Sequence, residues 1–348
     1  MTSVDRDRLV EQGSGLHEPQ GLPERGRGPS YRSRVSAAAD QYAGVLVVLA
    51  LACVLLAVTQ EQFLTTANAI NVLETNAVLL VVAVGLTFVL LVGGIDLSIG
   101  GTMALSAVLL WELAVRQSVP VPLAVVIVVS AAFVLGFCVN GLLIGRVGLS
   151  FLVVTIGTAS LYRGIAQVRT GGQSQSLYEQ TALIEFGSAR WLGLPVIVWI
   201  AVTVLLLGML VLRHTGYGRM VYVTGGNPEA ARMSGINTAL VRVSVFGIAG
   251  GLAGLAAVMD ASRLTAASPS AATGIELTAG AAVLLGGTSF MGGRGTLLGT
   301  LLGVLFLGVL QNGLTLSGTS PFWSGIVSGV VLIAAIFVDR LRNGAAQP

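Results

Sequence analysis

From about residue 43 to residue 338 the chain is a succession of apolar runs separated by short polar or glycine-rich punctuation. Ten runs stand out, at roughly 43–59, 77–92, 99–115, 121–145, 149–167, 194–212, 240–259, 276–291, 296–312 and 323–338. A helix needs about 17 to 20 mostly apolar residues to cross the hydrocarbon layer. Several runs lie near that minimum, so some are expected to be broken or re-entrant. The pattern predicts an all-α, polytopic membrane bundle of about ten transmembrane helices over residues 41–342. Residues 1–40 differ: they hold six arginines, six acidic residues and scattered Gly, Pro and Ser. They lack the apolar stretch of a cleavable signal peptide and read as a disordered cytoplasmic tail.

The polar punctuation carries the candidate chemistry. Between two apolar runs lies Gly225-Gly226-Asn227-Pro228-Glu229-Ala230-Ala231-Arg232-Met233-Ser234-Gly235. Asn227 suits an N-cap, and Pro228 fits the first helical position because its missing N–H has no partner to lose there. Glu229 sits at the positive end of the helix dipole, and Gly235 suits a left-handed stop. So short a helix is marginal alone in water. It is either a plain connector or a docking element that receives force from a separate protein.

Two glycine-rich breaks interrupt the apolar runs. Gly93-Gly94-Ile95-Asp96-Leu97-Ser98-Ile99-Gly100-Gly101-Thr102 joins two short runs with almost no loop. Irregular backbone at membrane depth is tolerated only when buried in protein or lining a wet cavity. Asp96 either caps the third span or lines a pathway. The second break, Leu285-Gly286-Gly287-Thr288-Ser289-Phe290-Met291-Gly292-Gly293-Arg294-Gly295-Thr296, repeats the glycine pairs and the Gly-Thr ending. Paired interruptions point to a translocation site in transporters built from repeats. Gly93, Gly94, Asp96, Ser98, Glu276, Gly286, Gly287 and Thr288 are therefore the candidate path residues. Glu276 opens the eighth run, where a dipole partner and a substrate contact are both open readings.

Composition narrows the function. Hydrophobic residues make up 54% and charged residues 10% of the chain, against about 25% charged in soluble domains. All 19 cationic side chains are arginine. Without lysine there is no phosphate-binding P-loop and no Schiff-base nucleophile. His17 and His214 alone do not make a histidine metal site, and Cys53 and Cys138 lie apart within apolar runs. No metal, cofactor or catalytic set is expected in this chain. The 46 glycines suit close helix packing in lipid. With ten spans and the N-terminus inside, fourteen arginines fall on the cytoplasmic side and five outside. That places both termini and residues 227–235 in the cytoplasm. The stretch 168–193, with Tyr178 and Trp191, becomes the longest external loop, an interfacial anchor or a docking surface.

Together these motifs resemble the permease subunit of ribose-type ABC sugar importers, the ribose, xylose and arabinose-like group. The Gly93–Gly101 block is similar to the family's Gly-Gly-Ile-Asp-Leu-Ser-Val-Gly signature, with Ile99 in the valine position. Gly226–Asn237 is similar to its coupling segment, with Met233 in place of leucine. Leu285–Gly299, Gln311-Asn312-Gly313 and Pro321-Phe322-Trp323 match its C-terminal pattern. The chain departs at Thr278-Ala279-Gly280, where the family usually carries Asp-Ala-Ile.

The resemblance implies a homodimer in the bacterial cell membrane, with a cytoplasmic ATPase subunit that uses the ATP and an external solute-binding protein. Gly226, Asn227, Pro228, Glu229, Ala230, Ala231, Arg232 and Gly235 would form the ATPase coupling segment. The expected cargo is a neutral monosaccharide: a pentose, hexose or polyol. Small hydroxyls near the breaks (Ser98, Thr102, Thr155, Thr158, Thr288 and Ser289) agree with such a cargo or simply bond to neighbouring helices. A nucleoside or amino acid importer and an ion-coupled secondary transporter are the alternatives.

Overall fold

The computed structural model describes residues 31–270, 272–320 and 322–344; the side chains of residues 31–43, 338 and 341–344 lie outside that description. Residues Gln41–Pro348 make one compact unit, and Met1–Asp40 a separate one. Most of the expected 1–40 tail lies outside the described residues, and helix α1 (Tyr31–Thr59) already includes residues 31–40.

The described chain is helical almost throughout. After α1 come α2 (Thr66–Leu91), α3 (Ile99–Trp111), α4 (Val121–Leu135), α5 (Phe151–Thr170), α6 (Thr181–Ser188), α7 (Val196–His214), α8 (Gly216–Gly226) and α9 (Pro228–Met233). Then follow α10 (Thr238–Leu264), α11 (Ile275–Leu285), α12 (Leu297–Leu316) and α13 (Phe322–Gly344). Wider, π-type turns extend α3 through Glu112–Arg116 and α4 through Gly136–Arg146. Seven helices are long and apolar enough to cross a membrane, and three shorter apolar helices, Gly44–Thr59, Ile275–Leu285 and Phe322–Phe337, complete the expected ten. The protein is a multi-pass membrane bundle. At 1.5 Å per residue the eleven residues of α11 span only about 16 Å, so this helix does not cross alone.

α2 is the axis of the bundle. From Asn76 to Leu91 every residue is buried, wrapped by α7, α10, α11 and α12. α2 also begins eleven residues before the expected run. Its polar first turns, Asn68 to Asn76, remain helical because Thr65 caps them and their side chains find local acceptors: Asn76 Nδ2 donates to the Val72 carbonyl at 2.7 Å. On its other side α10 crosses α4 almost backbone to backbone. A Cβ on Gly250 would lie 3.1 Å from the Gly136 Cα and clash with the Ala132 carbonyl oxygen, so glycine is what permits the crossing.

The expected external loop at 168–193 is folded. Gln175–Ser176 pairs antiparallel with Ala266–Ala267, and Leu177 and Leu183 are buried against Leu110 and Val258. Trp191 packs edge-to-face on Trp199, with ring centroids 5.1 Å apart. Tyr178 stands exposed.

Candidate functional site

α9 is built as its residues dictate. The Asn227 side chain accepts hydrogen bonds from the Glu229 and Ala230 N–H groups at 3.1 and 2.9 Å, the N-cap its position predicts. At the other end the Gly235 N–H donates to the Arg232 carbonyl and the Ile236 N–H to the Ala231 carbonyl, both at 3.0 Å. With Gly235 at φ +81°, this is a complete Schellman closure. Six residues therefore hold a helix whose orphan backbone groups are satisfied at both ends. Ala231 is fully buried, whereas Glu229, Ala230 and Arg232 are exposed and Met233 is 87% exposed. The exposed face of α9 thus carries an acidic, a basic and an apolar side chain together.

The three glycine motifs, far apart in sequence, converge beneath α9. The Gly293 N–H donates to the Leu91 carbonyl at 2.9 Å. A Cβ on Gly225 would strike that same carbonyl oxygen and lie 2.7 Å from the Gly293 nitrogen. A Cβ on Gly292 would lie 2.7 Å from the Gly93 nitrogen and 3.1 Å from the Gly225 carbonyl oxygen. The two helix breaks and the lead-in to α9 thus share one junction of bare backbone. Main-chain atoms cannot rotate aside as side chains do, so displacement of one strand of the junction is passed to the other two. Nearby, the Tyr222 hydroxyl donates to the Gly295 carbonyl at 2.9 Å and the Phe290 N–H to Asp339 Oδ2 at 3.2 Å, fastening the second break to α8 and α13.

The first break is organised around Asp96, which is 2% exposed. Its Oδ1 accepts from the Ser98 N–H at 2.8 Å and the Ser98 hydroxyl at 2.5 Å, and Asn140 Nδ2 donates to that hydroxyl oxygen at 2.7 Å. The N-cap position of α3 is Ser98, so Asp96 closes the turn before the helix instead of capping it directly. Ile95 and Leu97 border an apolar cavity together with Glu276, while Asp96 turns away towards α4. Asn140 is a partner that sequence reasoning missed; a lone Asn in an apolar run carries no local signal of a contact 42 residues away.

Glu276 lies in the first turn of α11, as expected. Its Oε2 is buried without a hydrogen bond and packs over Gly100, where Arg163 Nη2 also approaches. Arg163 in turn donates to Thr273 Oγ1 at 2.6 Å. Of the other candidate path residues, Gly94, Ser98, Gly286 and Thr288 are buried and Gly93 and Gly287 half-buried. Gly286 packs against the Gly299 backbone, and Gly287 turns the chain at φ +86°. The hydroxyls of Thr102, Thr155 and Thr158 bond to carbonyls within their own helices, at Ser98, Phe151 and Val154. Thr278, where the chain departs from the expected pattern, bonds to Ser328 Oγ at 3.3 Å. Among the described residues no cluster of His, Cys, Asp or Glu suits a metal ion.

A family model described as the permease component of the branched-chain amino acid transport system matches residues 68–336, most of the chain. The chain belongs to this permease family. The permease is 38% identical over 305 residues to the ribose import permease protein RbsC of Escherichia coli K12, covering 86% of this chain and 93% of that protein. It is also 38% identical over 304 residues to RbsC of Bacillus subtilis, covering 87% and 94%. The D-allose transport system permease AlsC of Escherichia coli K12 is 33% identical over 302 residues, covering 87% and 92%. No solved structure matches. The permease is a transport component, not an enzyme.

For Asp96 the geometry sets a testable expectation. An asparagine oxygen accepts the same two hydrogen bonds and removes a buried charge, so Asp96→Asn is expected to keep transport per folded permease within about twofold. Asp96→Ala strands the Ser98 N–H and is expected to cost about 1–3 kcal/mol, seen as less folded permease. Uptake normalised to detergent-stable permease measures both. A collapse of uptake in Asp96→Asn at normal folded levels would assign the charge itself to transport.

Proposed function

We propose that this permease is the membrane-spanning subunit of an ATP-driven importer for a neutral monosaccharide delivered by an external binding protein. The observation that carries the reading is α9: a short helix closed at both ends, presenting Glu229, Arg232 and Met233, and seated on the junction that unites both helix breaks. An ATPase seated on α9 would move the lead-in at Gly225, and through Leu91 and Gly293 the ends of α2 and of the α11–α12 segment. The absence of lysine removes P-loop chemistry from this chain, so ATP is used by a partner. The arginine bias supports a cytoplasmic α9 and cytoplasmic termini. By analogy with importers of this kind, two copies would line one path.

The sugar assignment rests on the relatives named for ribose and allose, which align over most of both chains. The family description names amino acids, which keeps that cargo as the alternative. An ion-coupled secondary transporter would leave α9 without a role. Titrating the partner binding protein with sugars, nucleosides and amino acids by calorimetry tests the cargo: a pentose, hexose or polyol is expected to bind. Binding of only an amino acid or nucleoside would overturn the sugar assignment and leave the importer mechanism standing.

A further inference from the structure

The end of the bundle opposite α9 carries a polar surface that the glycine motifs do not explain. The first turns of α2 lie about 30 Å from Leu91 along the helix. There α2, α12 and the start of α13 enclose a cavity of about 290 Å³, bordered by Asn71, Thr75, Asn76, Gln311, Asn312 and Thr315. Its remaining lining is small or hydroxylic apart from Val72 and Leu314, with no charged or aromatic residue among the described ones. A second cavity of about 220 Å³ adjoins it through the shared residues Thr75, Asn76 and Gln311 and continues past Thr278 to Asp260 and Arg263, which pair with each other at 3.2 Å.

The hydrogen bonding separates structural amides from available ones. Asn68 and Asn312 are spent on each other, Nδ2 to Oδ1 at 3.0 Å and in return at 2.8 Å, clamping α2 to α12 beside the cavity. Asn76 commits its Nδ2 to Val72, and its position is set by Gly308, where a Cβ would collide with the Asn76 amide. Among the described residues the Gln311 amide reaches only Ser328 Oγ, at 3.5 Å, too long for a strong bond. Asn71 and Thr75 make no side-chain hydrogen bond among the described residues, and both are exposed. Leaving amides unpaired in hydrocarbon costs about 2–7 kcal/mol each. A face with this many therefore meets water, not lipid.

We propose that Thr75 and Gln311, which border both cavities, form a polar threshold between them, on which the imported solute is held and handed on as it enters the permease. The inference rests on the import reading above. Amides and hydroxyls supply donors and acceptors on the same wall, which matches a neutral polyhydroxylated solute. An amino acid zwitterion would require free charges of both signs, and here Asp260 and Arg263 neutralise each other. The first cavity is near the lower end of the range for small-molecule sites, about 300–1,000 Å³, as a monosaccharide requires.

The test uses the permease with its ATPase and binding protein in proteoliposomes. Wild-type uptake of labelled D-ribose, a nucleoside and an amino acid is measured first, which judges the cargo independently. Gln311→Leu and Thr75→Val are then assayed on whichever solute the wild type imports, at matched permease levels. Gln311→Leu is expected to lower uptake about tenfold, the loss of a hydrogen bond or two, with partial recovery in Gln311→Asn; Thr75→Val is expected to lower it two- to threefold. Thr75→Cys, combined with Cys53→Ser and Cys138→Ser, is expected to react with a membrane-impermeant thiol reagent, more slowly while the solute is being delivered. Unchanged uptake in Gln311→Leu, or spontaneous disulfide-linked dimers through position 75, would overturn the threshold. Import of a nucleoside or amino acid alone would overturn the polyhydroxylated class, whatever the variants do.

Discussion

Replacing Gly225 with alanine is expected to abolish most ATP-dependent uptake, whereas the same change at its neighbour Gly226 is expected to leave uptake nearly intact. The added methyl at 225 would run into the Leu91 carbonyl oxygen and lie 2.7 Å from the Gly293 nitrogen, both main-chain atoms already bonded to each other. Relief requires the end of α2 and the second break to part from the lead-in to α9. Overpacking of this kind costs about 1–3 kcal/mol. At Gly226 the methyl would meet only the Gly293 Cα, at 3.9 Å, an ordinary contact. Helix propensity favours alanine at both positions, so a difference between the two variants reads the junction and not the helix. Uptake and detergent-stable permease should be measured together; a drop of tenfold or more is expected for Gly225→Ala and less than twofold for Gly226→Ala. Equal behaviour of the two would show that the backbone junction does not carry the motion.

Arg232→Glu is expected to be as damaging by a different route. Arg232 is exposed, lies in the last turn of α9 and makes no ion pair among the described residues. Reversing its charge against the helix dipole costs only about 0.3–1 kcal/mol, so the fold of the permease should survive. A partner groove that receives α9 would instead meet a misplaced anion, and like-charge juxtaposition at an interface costs several kcal/mol. Permease levels should remain normal while uptake and co-purification of the ATPase are lost. Normal uptake with normal ATPase binding would remove Arg232 from the coupling surface.

Local chemistry accounts for what was legible in the sequence. The cap at Asn227, the stop at Gly235 and the ten apolar segments each follow from residues within one or two helical turns; the cap and stop appear where expected, and each apolar run overlaps a helix, although α2 starts earlier and α11 ends sooner than its run. Two features were not legible, for physical reasons. The polar start of α2, Thr66 to Asn76, hides from a search for apolar runs, because Asn68 is satisfied by α12 and Asn76 by its own helix, while Asn71 faces the cavity. With it the cavity wall was missed, although Gln311 and Asn312 stood in a recognised block. The meeting of Gly93, Gly225 and Gly293 joins segments some 130 and 70 residues apart, and glycine carries no side chain whose complementarity would announce a partner. The breaks read as candidate path linings because glycine suits either use. In the structure several of the glycines make close backbone contacts, and Glu276 borders a cavity. The hydroxyls of Thr102, Thr155 and Thr158 bond to carbonyls four residues back, a contact that either of their two readings allows.

The central claim, that force reaches this permease through α9 from an ATPase that binds it, is tested most directly by reconstitution. Labelled solute uptake is followed in proteoliposomes containing the permease with or without the ATPase, the binding protein and ATP, and in the presence of imposed proton or sodium gradients. Uptake is predicted only when permease, ATPase, binding protein and ATP are all present, and to be lost when Asn227–Gly235 is replaced by a flexible Gly-Ser linker. Gradient-driven uptake by the permease alone, or full ATP-driven uptake without α9, would contradict the account.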